Sequence, residues 1–223
     1  MSADEIPPIA RTWWSGSGLS PTRMAKHELV DRMREVIAEV ALLDVEEVDA
    51  QELDSLIEQC SSLRDRLRAQ PSLRDKGGPQ GGVAADLPLT ERGPISGMSN
   101  PLAAPLRPSI DSISSDRISA HVVFSSAYEG PKGVVHGGMV LAIFDEVLAL
   151  AQLPSGTIGM TGTVSVRLLR PTPIDKRIDF EGGVERVDGK KIHTWARSMA
   201  NGDVLVEATA ICILAKSGEA RGG

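Results

Sequence analysis

The chain has 223 residues, of which 41% are hydrophobic and 24% charged, and its net charge is −6. That is room for one medium domain with an attachment or for two small domains, in proportions typical of a folded globular protein rather than a chain disordered throughout. Residues 1–94 hold 17 acids against 11 bases and residues 95–223 hold 13 of each, so the first half is a poor partner for phosphate backbones and no nucleic acid is expected. The longest nearly apolar run, Met139–Ala151, is broken by Asp145 and Glu146 and falls short of the roughly 20 residues of a membrane helix, so no membrane span is expected. Residues 1–10 carry Asp4 and Glu5 and no apolar core, which excludes a secretory leader and gives a cytoplasmic reading. Cys60 and Cys212 lie far apart, without the spacing of a disulfide framework or a zinc module.

In chain order, residues 1–20 read as an irregular leader. Its large groups Trp13 and Trp14 are expected to dock on the body, with a partner site as the alternative. Residues 21–70 read as a helical hairpin. Ser20 is the N-cap of the first helix and Pro21 its first position. Leu29, Met33, Val36, Val40 and Leu43 then recur at helical steps. The second helix opens at Asp49, with Glu52 three residues on as in a capping box. Its stripe is Leu53, Leu56, Cys60, Leu63 and Leu67, and Pro71 stops it. Such a hairpin buries little alone and must pack on something, as an oligomerisation or docking element or as a lid over a ligand pocket. Residues 71–94, with Gly77-Gly78 and Gly81-Gly82, read as a flexible linker.

The pattern changes from residue 95. Ile110–Ile113 is a short strand candidate, and Arg117–Phe124 a second. A helix is expected from about His136 to Gln152, apolar nearly all round and therefore buried. Four strands follow, Met160–Arg170, Arg177–Val187, Lys191–Met199 and Val204–Leu214, with Asp188-Gly189 and Asn201-Gly202 as turns between the last three. One buried helix and an antiparallel meander make an α+β domain over 95–216 whose sheet wraps a helix, with 217–223 as a tail.

The chemistry-bearing stretch is Tyr128-Glu129-Gly130-Pro131-Lys132-Gly133-Val134-Val135-His136-Gly137-Gly138, with Asp145 beyond it. Gly137 and Gly138 open the helix, where free N–H groups and the positive dipole end receive partial negative charge. Asp145 lies mid-helix among apolar residues, and a carboxylate buried there is costly unless paired or used. Eight residues separate Gly137 from Asp145, roughly 12 Å along the axis. An oxyanion donor and a base must each come within roughly 3–3.5 Å of one carbonyl. One helix cannot do this. If the motif is catalytic, a second antiparallel copy is the simplest way to bring Asp145 beside Gly137, which predicts a homodimer with two composite sites.

With Met160-Thr161 and Arg170-Pro171-Thr172-Pro173 further on, residues 95–216 resemble a hotdog-fold acyl-CoA thioesterase of the PaaI (phenylacetyl-CoA thioesterase) type, on the side that includes human thioesterase-superfamily members. The resemblance implies a hotdog fold, here preceded by a helical hairpin. It implies hydrolysis of an acyl-CoA to carboxylate and CoA, as in lipid metabolism, by a homodimer or homotetramer. It implies neither cofactor nor metal. The Gly137 N–H would polarise the thioester oxygen, and Asp145 would act as general base or as nucleophile. Thr161 would hold the water or the carboxylate, and His136 would contact the thioester or orient its loop. Gly138, Arg170, Lys176 and Arg177 would meet CoA.

His136, Asp145 and Thr161 each also have a purely structural reading, and the cationic group could be a solvated charge cluster. Gly130 stands where some relatives carry an Asn, so water must be positioned otherwise. His27, His121 and His193 have no partner at ligand spacing, and Glu146, turned about 100° from Asp145, is not assigned chemistry. The alternatives are a non-catalytic acyl-CoA sensor or scaffold, and a hotdog hydratase, whose His-centred motif is missing.

Overall fold

The structure is a computed structural model that describes residues 20–72, 92–108, 117–156 and 159–214. The leader with Trp13 and Trp14, most of the expected linker, the Ile110–Ile113 candidate and the 217–223 tail lie outside the described residues.

Helix α1 (Pro21–Ala41) begins as its sequence dictates: the Ser20 side chain accepts from the Arg23 N–H, and Pro21 supplies a preset φ at the first turn. Helix α2 (Ala50–Arg68) is capped by Asp49, which accepts from Gln51 N–H, and it ends in Arg66 and Arg68, which favour the negative end of the dipole. The expected stripes are not buried by the fold. Val30 is the one residue buried in α1, and α2 has none.

The reason is that α1 docks through a different face, and through polar groups. The Arg34 side chain, only 10% exposed, donates to the carbonyls of Ala103 (3.1 Å), Gly97 (3.0 Å) and Asn100 (2.9 Å) and pairs with Asp31 at 2.6 Å. Asp31 in turn meets Arg107 at 3.3 Å, and the Ser126 hydroxyl donates to the Ala38 carbonyl. One guanidinium thus fastens the segment before the sheet, which includes Ile95 and the buried Ala103 and Ala104, to the helix.

The sheet has six antiparallel strands in the order β1-β2-β4-β5-β6-β3. They are β1 (Arg107–Pro108), β2 (Arg117–Val123), β3 (Gly159–Leu168), β4 (Arg177–Asp188), β5 (Lys191–Ala200) and β6 (Asp203–Leu214). The two hairpins turn where left-handed backbone is available: Gly189 has φ 57°, and Asn201 and Gly202 have φ 51° and 87°. Helix α3 (Gly137–Leu150) lies against the face of the sheet and buries Val140, Ile143, Phe144, Val147, Leu148 and Leu150. Phe144 meets Phe180 of β4 edge to face at 5.6 Å. Gly182 makes the close approach possible, because a Cβ there would sit 3.2 Å from Ala151 Cβ and 2.8 Å from the Trp195 carbonyl oxygen. The stretch Gly137–Ser155 is long and apolar enough to cross a bilayer by length and composition, beyond the sequence expectation; half of it is buried here as the core helix.

The 170–175 connection between β3 and β4 passes under the start of α3. Val135 N–H donates to Thr172 O at 2.8 Å, Ile174 N–H donates to Gly133 O at 3.2 Å, and Val134 bridges Pro173. The Arg-Pro-Thr-Pro motif therefore shapes the backbone that leads into His136 and Gly137.

Replacing Arg34 by Ala leaves three carbonyls without their charged donor and should loosen α1 from the domain by about 2–3 kcal/mol. Amide hydrogen exchange over residues 97–103 should rise in Arg34→Ala. Arg34→Lys should not restore protection, since one ammonium cannot span three divergent carbonyls.

Candidate active site on the central helix

His136 is the N-cap of α3, and its Nδ1 accepts from the Gly138 N–H at 3.1 Å. Nδ1 therefore acts as the acceptor in this cap, and the ring is exposed. Gly138 N–H is thus occupied by the histidine. Among the described residues the Gly137 N–H meets no acceptor, and Met139 and Val140 N–H both turn to His136 O. The helix therefore presents one unclaimed donor at its positive end, at Gly137. Gly130 lies directly against His136: a Cβ there would be 2.9 Å from His136 Cα.

Asp145 is exposed in the single chain, which corrects the expectation of a buried carboxylate. The sheet covers one side of α3 and leaves a stripe through Gly138, Leu141 and Asp145 open, with Leu141 47% exposed. The half-buried acid is Glu146, turned toward the segment fastened by Arg34. Burial pushes its carboxyl above the usual range; the neighbouring Ser96 hydroxyl draws it back, and the charge on Asp145 adds to the rise. Ser96 is itself buried, with no hydrogen bond of ordinary length. Nothing in the periodicity distinguished the two acids, because the segment that covers Glu146 comes from residues 92–106.

Thr161 reaches the helix side of the sheet through a β-bulge. It faces Cys212 on β6 while Thr163 faces Ile211, so Gly162 is the extra residue. Val164, opposite Ala210, lies on the helix side, and strict alternation from it would turn Thr161 outward. The bulge turns Thr161 inward, beside the buried Cys212 thiol. Burial raises that thiol, the Thr194 and Thr161 hydroxyls lower it, and the Asp145 charge raises it. Asp145, Thr161 and Cys212 therefore share one neighbourhood at the edge of the sheet.

The cationic residues do not form one cluster. Arg170 pairs with Asp203 at 3.3 Å and donates to Val204 O. Arg177, at the start of β4, pairs with Asp179 at 2.8 Å. Arg170 belongs to the connection after β3 and is held by the start of β6, whereas Arg177 opens β4, so each is engaged by a different carboxylate. Lys176 is exposed next to Arg177. A cavity of about 360 Å³ between α1 and the domain, bordered by Glu35, Glu39, Tyr128 and Asp175, includes none of the expected site residues. No group of metal ligands occurs among the described residues.

No family model matches the sequence. A thioesterase superfamily protein of solved structure is 27% identical, with a TM-score of 0.69 over 88% of this chain and 92% of that one. A phenylacetic acid degradation-related thioesterase of Ralstonia eutropha is 23% identical over 50% of this chain and 86% of its own, with a TM-score of 0.44. Thioesterase superfamily member 2 of Mus musculus is 12% identical over 49% and 82%, with a TM-score of 0.45. The chain has the hotdog fold, and the solved protein that matches it over 88% of its length is a thioesterase superfamily protein.

Two predictions follow from this geometry. A Cβ at Gly138 would lie 3.1 Å from His136 Nδ1, whereas one at Gly137 would meet nothing closer than Leu168 Cδ1 at 3.9 Å. Gly138→Ala should displace the cap and cost about 1 kcal/mol in thermal or denaturant unfolding, and Gly137→Ala should cost nothing. Glu146 has a folded-state pKa raised above its ordinary 4.5, so its ionisation destabilises the fold as pH rises through the raised value. Glu146→Gln should melt higher than wild type at neutral pH, with the difference vanishing below the ordinary carboxylate range, where both side chains are neutral.

Proposed function

We propose that the protein hydrolyses acyl-CoA thioesters at centres built from two copies of the chain. The observation that carries this reading is the pairing, on one open face of α3, of an unclaimed N–H at Gly137 with an exposed carboxylate at Asp145. They are roughly 12 Å apart along one helix, too far to serve one carbonyl. An antiparallel α3 from a second copy brings an acid to each donor. The open stripe with Leu141, and the edge strand β3 with Met160 76% exposed, are apolar surface and unpaired backbone suited to such a contact.

In this arrangement the thioester oxygen accepts from the Gly137 N–H, a donor of a kind worth about 10²–10³ in rate. Asp145 of the opposing copy takes a proton from water as the water oxygen bonds to the carbonyl carbon, or attacks that carbon itself. The C–S bond breaks, and the CoA thiolate leaves and is protonated; where Asp145 attacks directly, water then cleaves the resulting mixed anhydride, releasing the carboxylate and restoring Asp145. The Thr161 hydroxyl, turned inward by the bulge, holds the water or the carboxylate. The exposed ring of His136 flanks the thioester. Gly138 serves the site through His136 rather than by touching CoA. Arg170 and Arg177, each already ion-paired, are secondary candidates for the CoA phosphates, together with Lys176.

The test is steady-state hydrolysis across short, long and aromatic acyl-CoAs. Wild type should turn over at least one of them. Asp145→Asn should lose about 10²–10⁴ in kcat, with its solution mass unchanged. Thr161→Val should fall between the two. Full activity in Asp145→Asn would overturn the assignment, and binding of acyl-CoA without turnover by wild type would move the protein to the sensor reading.

A further inference from the structure

The helical pair leaves its own seam uncovered. Helix α2 buries no residue, and Val36, Val40, Leu56, Ile57 and Leu67 are exposed across the two helices. Met33 of α1 and Cys60, Leu63 and Leu67 of α2 line an open groove of about 300 Å³. Amphipathic helices of this length gain their stability from covering such a face, not from propensity. The pair is also no stray attachment: the match to a solved thioesterase superfamily protein over 88% of the chain cannot be confined to residues 92–214 and takes in the helices.

What covers the seam is written in the symmetry of α2. Cys60 stands midway along Leu53, Leu56, Cys60, Leu63 and Leu67. The first half of the helix carries only acids, Glu52, Asp54 and Glu58, and the second half carries Arg64, Arg66 and Arg68 against the single acid Asp65, which pairs with Arg64. We propose that α2 pairs antiparallel with α2 of a second copy of this chain, about a two-fold axis beside Cys60.

Residues equidistant from Cys60 then lie at the same height. Ile57 faces the partner subunit's Leu63, and Leu53 faces the partner subunit's Leu67. Off the stripe, residues on the same flank meet: Asp54 lies beside the partner subunit's Arg68, and Glu52 beside the partner subunit's Arg66. A parallel pairing would set Glu52 beside its own copy and Arg68 beside its own, so charge selects the antiparallel register. The contact is isologous and closes on itself.

It is also separate from the β3 edge. Helix α1 is tied through Asp31 to Arg107 of β1, at the opposite end of the sheet order from β3. Used together, the two contacts would close an assembly of four. The helix contact does not depend on the hydrolase reading, and its test reads assembly alone.

Full-length protein at micromolar concentration is oxidised with copper phenanthroline and run on a non-reducing gel. Cys60 is exposed and Cys212 buried, so a single dimeric species should form, be lost in Cys60→Ser and persist in Cys212→Ser. By light scattering, Ile57→Asp should halve the solution mass. Asp54→Arg, a surface change that leaves the helix intact, should weaken association roughly tenfold, and the double variant Asp54→Arg with Arg68→Asp should restore it. The proposal is overturned if no Cys60-dependent species forms, if that species survives Ile57→Asp, or if the charge exchange fails to restore what the single change removes.

Discussion

Helix α3 cannot be buried on all sides by the chain that carries it. It is apolar nearly all round, so it must lie at a core; the sheet curls over one side, the segment fastened by Arg34 covers another, and a third stays open. That open stripe is where the helix keeps Asp145. An apolar helix with an uncovered stripe is driven to find a second surface, and the driving force for assembly and the placement of the acid are then one feature of the sequence. The helix N-terminus obeys the same economy: His136 closes one donor by capping Gly138 and leaves the Gly137 donor open.

The elements that follow local rules were legible from residues alone. Ser20 with Pro21, Asp49, Gly189 and the Asn201-Gly202 pair each act within a few residues, by capping or by adopting left-handed backbone, and the structure uses them as the sequence announces. Helix α3 was legible from its long apolar run, and the meander of β4, β5 and β6 from the turn residues between its strands, although register shifts occur at Val184/Arg186 and Ser198/Met199. What stayed hidden depends on distant partners or on a slip in register. The Arg34 clamp acts on main-chain carbonyls more than 60 residues away, and a carbonyl has no sequence signature. The inward turn of Thr161 depends on one extra residue at Gly162, and alternation alone gives the opposite face.

The same distinction explains the misplacement of charge at the site. Asp145 and Glu146 are adjacent, and a helical wheel separates them by about 100° without saying which side is covered. The covering segment, residues 92–106, is irregular and comes just after a Gly- and Pro-rich stretch, where pattern reading has little to offer. The cationic group misled for a related reason. Arg170 and Arg177 are close in sequence, but Arg170 is drawn to Asp203 at the start of β6 and Arg177 to Asp179 on β4, with β5 between those strands. Closeness along the chain at the end of a strand is no guide to closeness in an antiparallel sheet whose order is not sequential.

The molecule therefore has two surfaces that its own fold leaves incomplete, and they differ in kind. At β3 the unsatisfied groups are backbone donors and acceptors of an edge strand together with the open stripe of α3, so whatever covers them also reaches the candidate site. At α2 they are side chains alone: an apolar seam bordered by charges of opposite sign in its two halves, remote from Gly137 and Asp145 along the sheet. In the proposed hydrolysis, surface of the first kind would couple assembly to chemistry, because the acid and the donor on one helix are too far apart to act without it. In the proposed helix pairing, surface of the second kind would adjust assembly without touching the reacting groups. Arg34 lies between these regions, holding the helical pair to the segment that covers Glu146, one residue from Asp145. Arg34 is the group in this junction that makes three side-chain bonds to main-chain carbonyls, beside the Asp31–Arg107 pair and the Ser126–Ala38 bond.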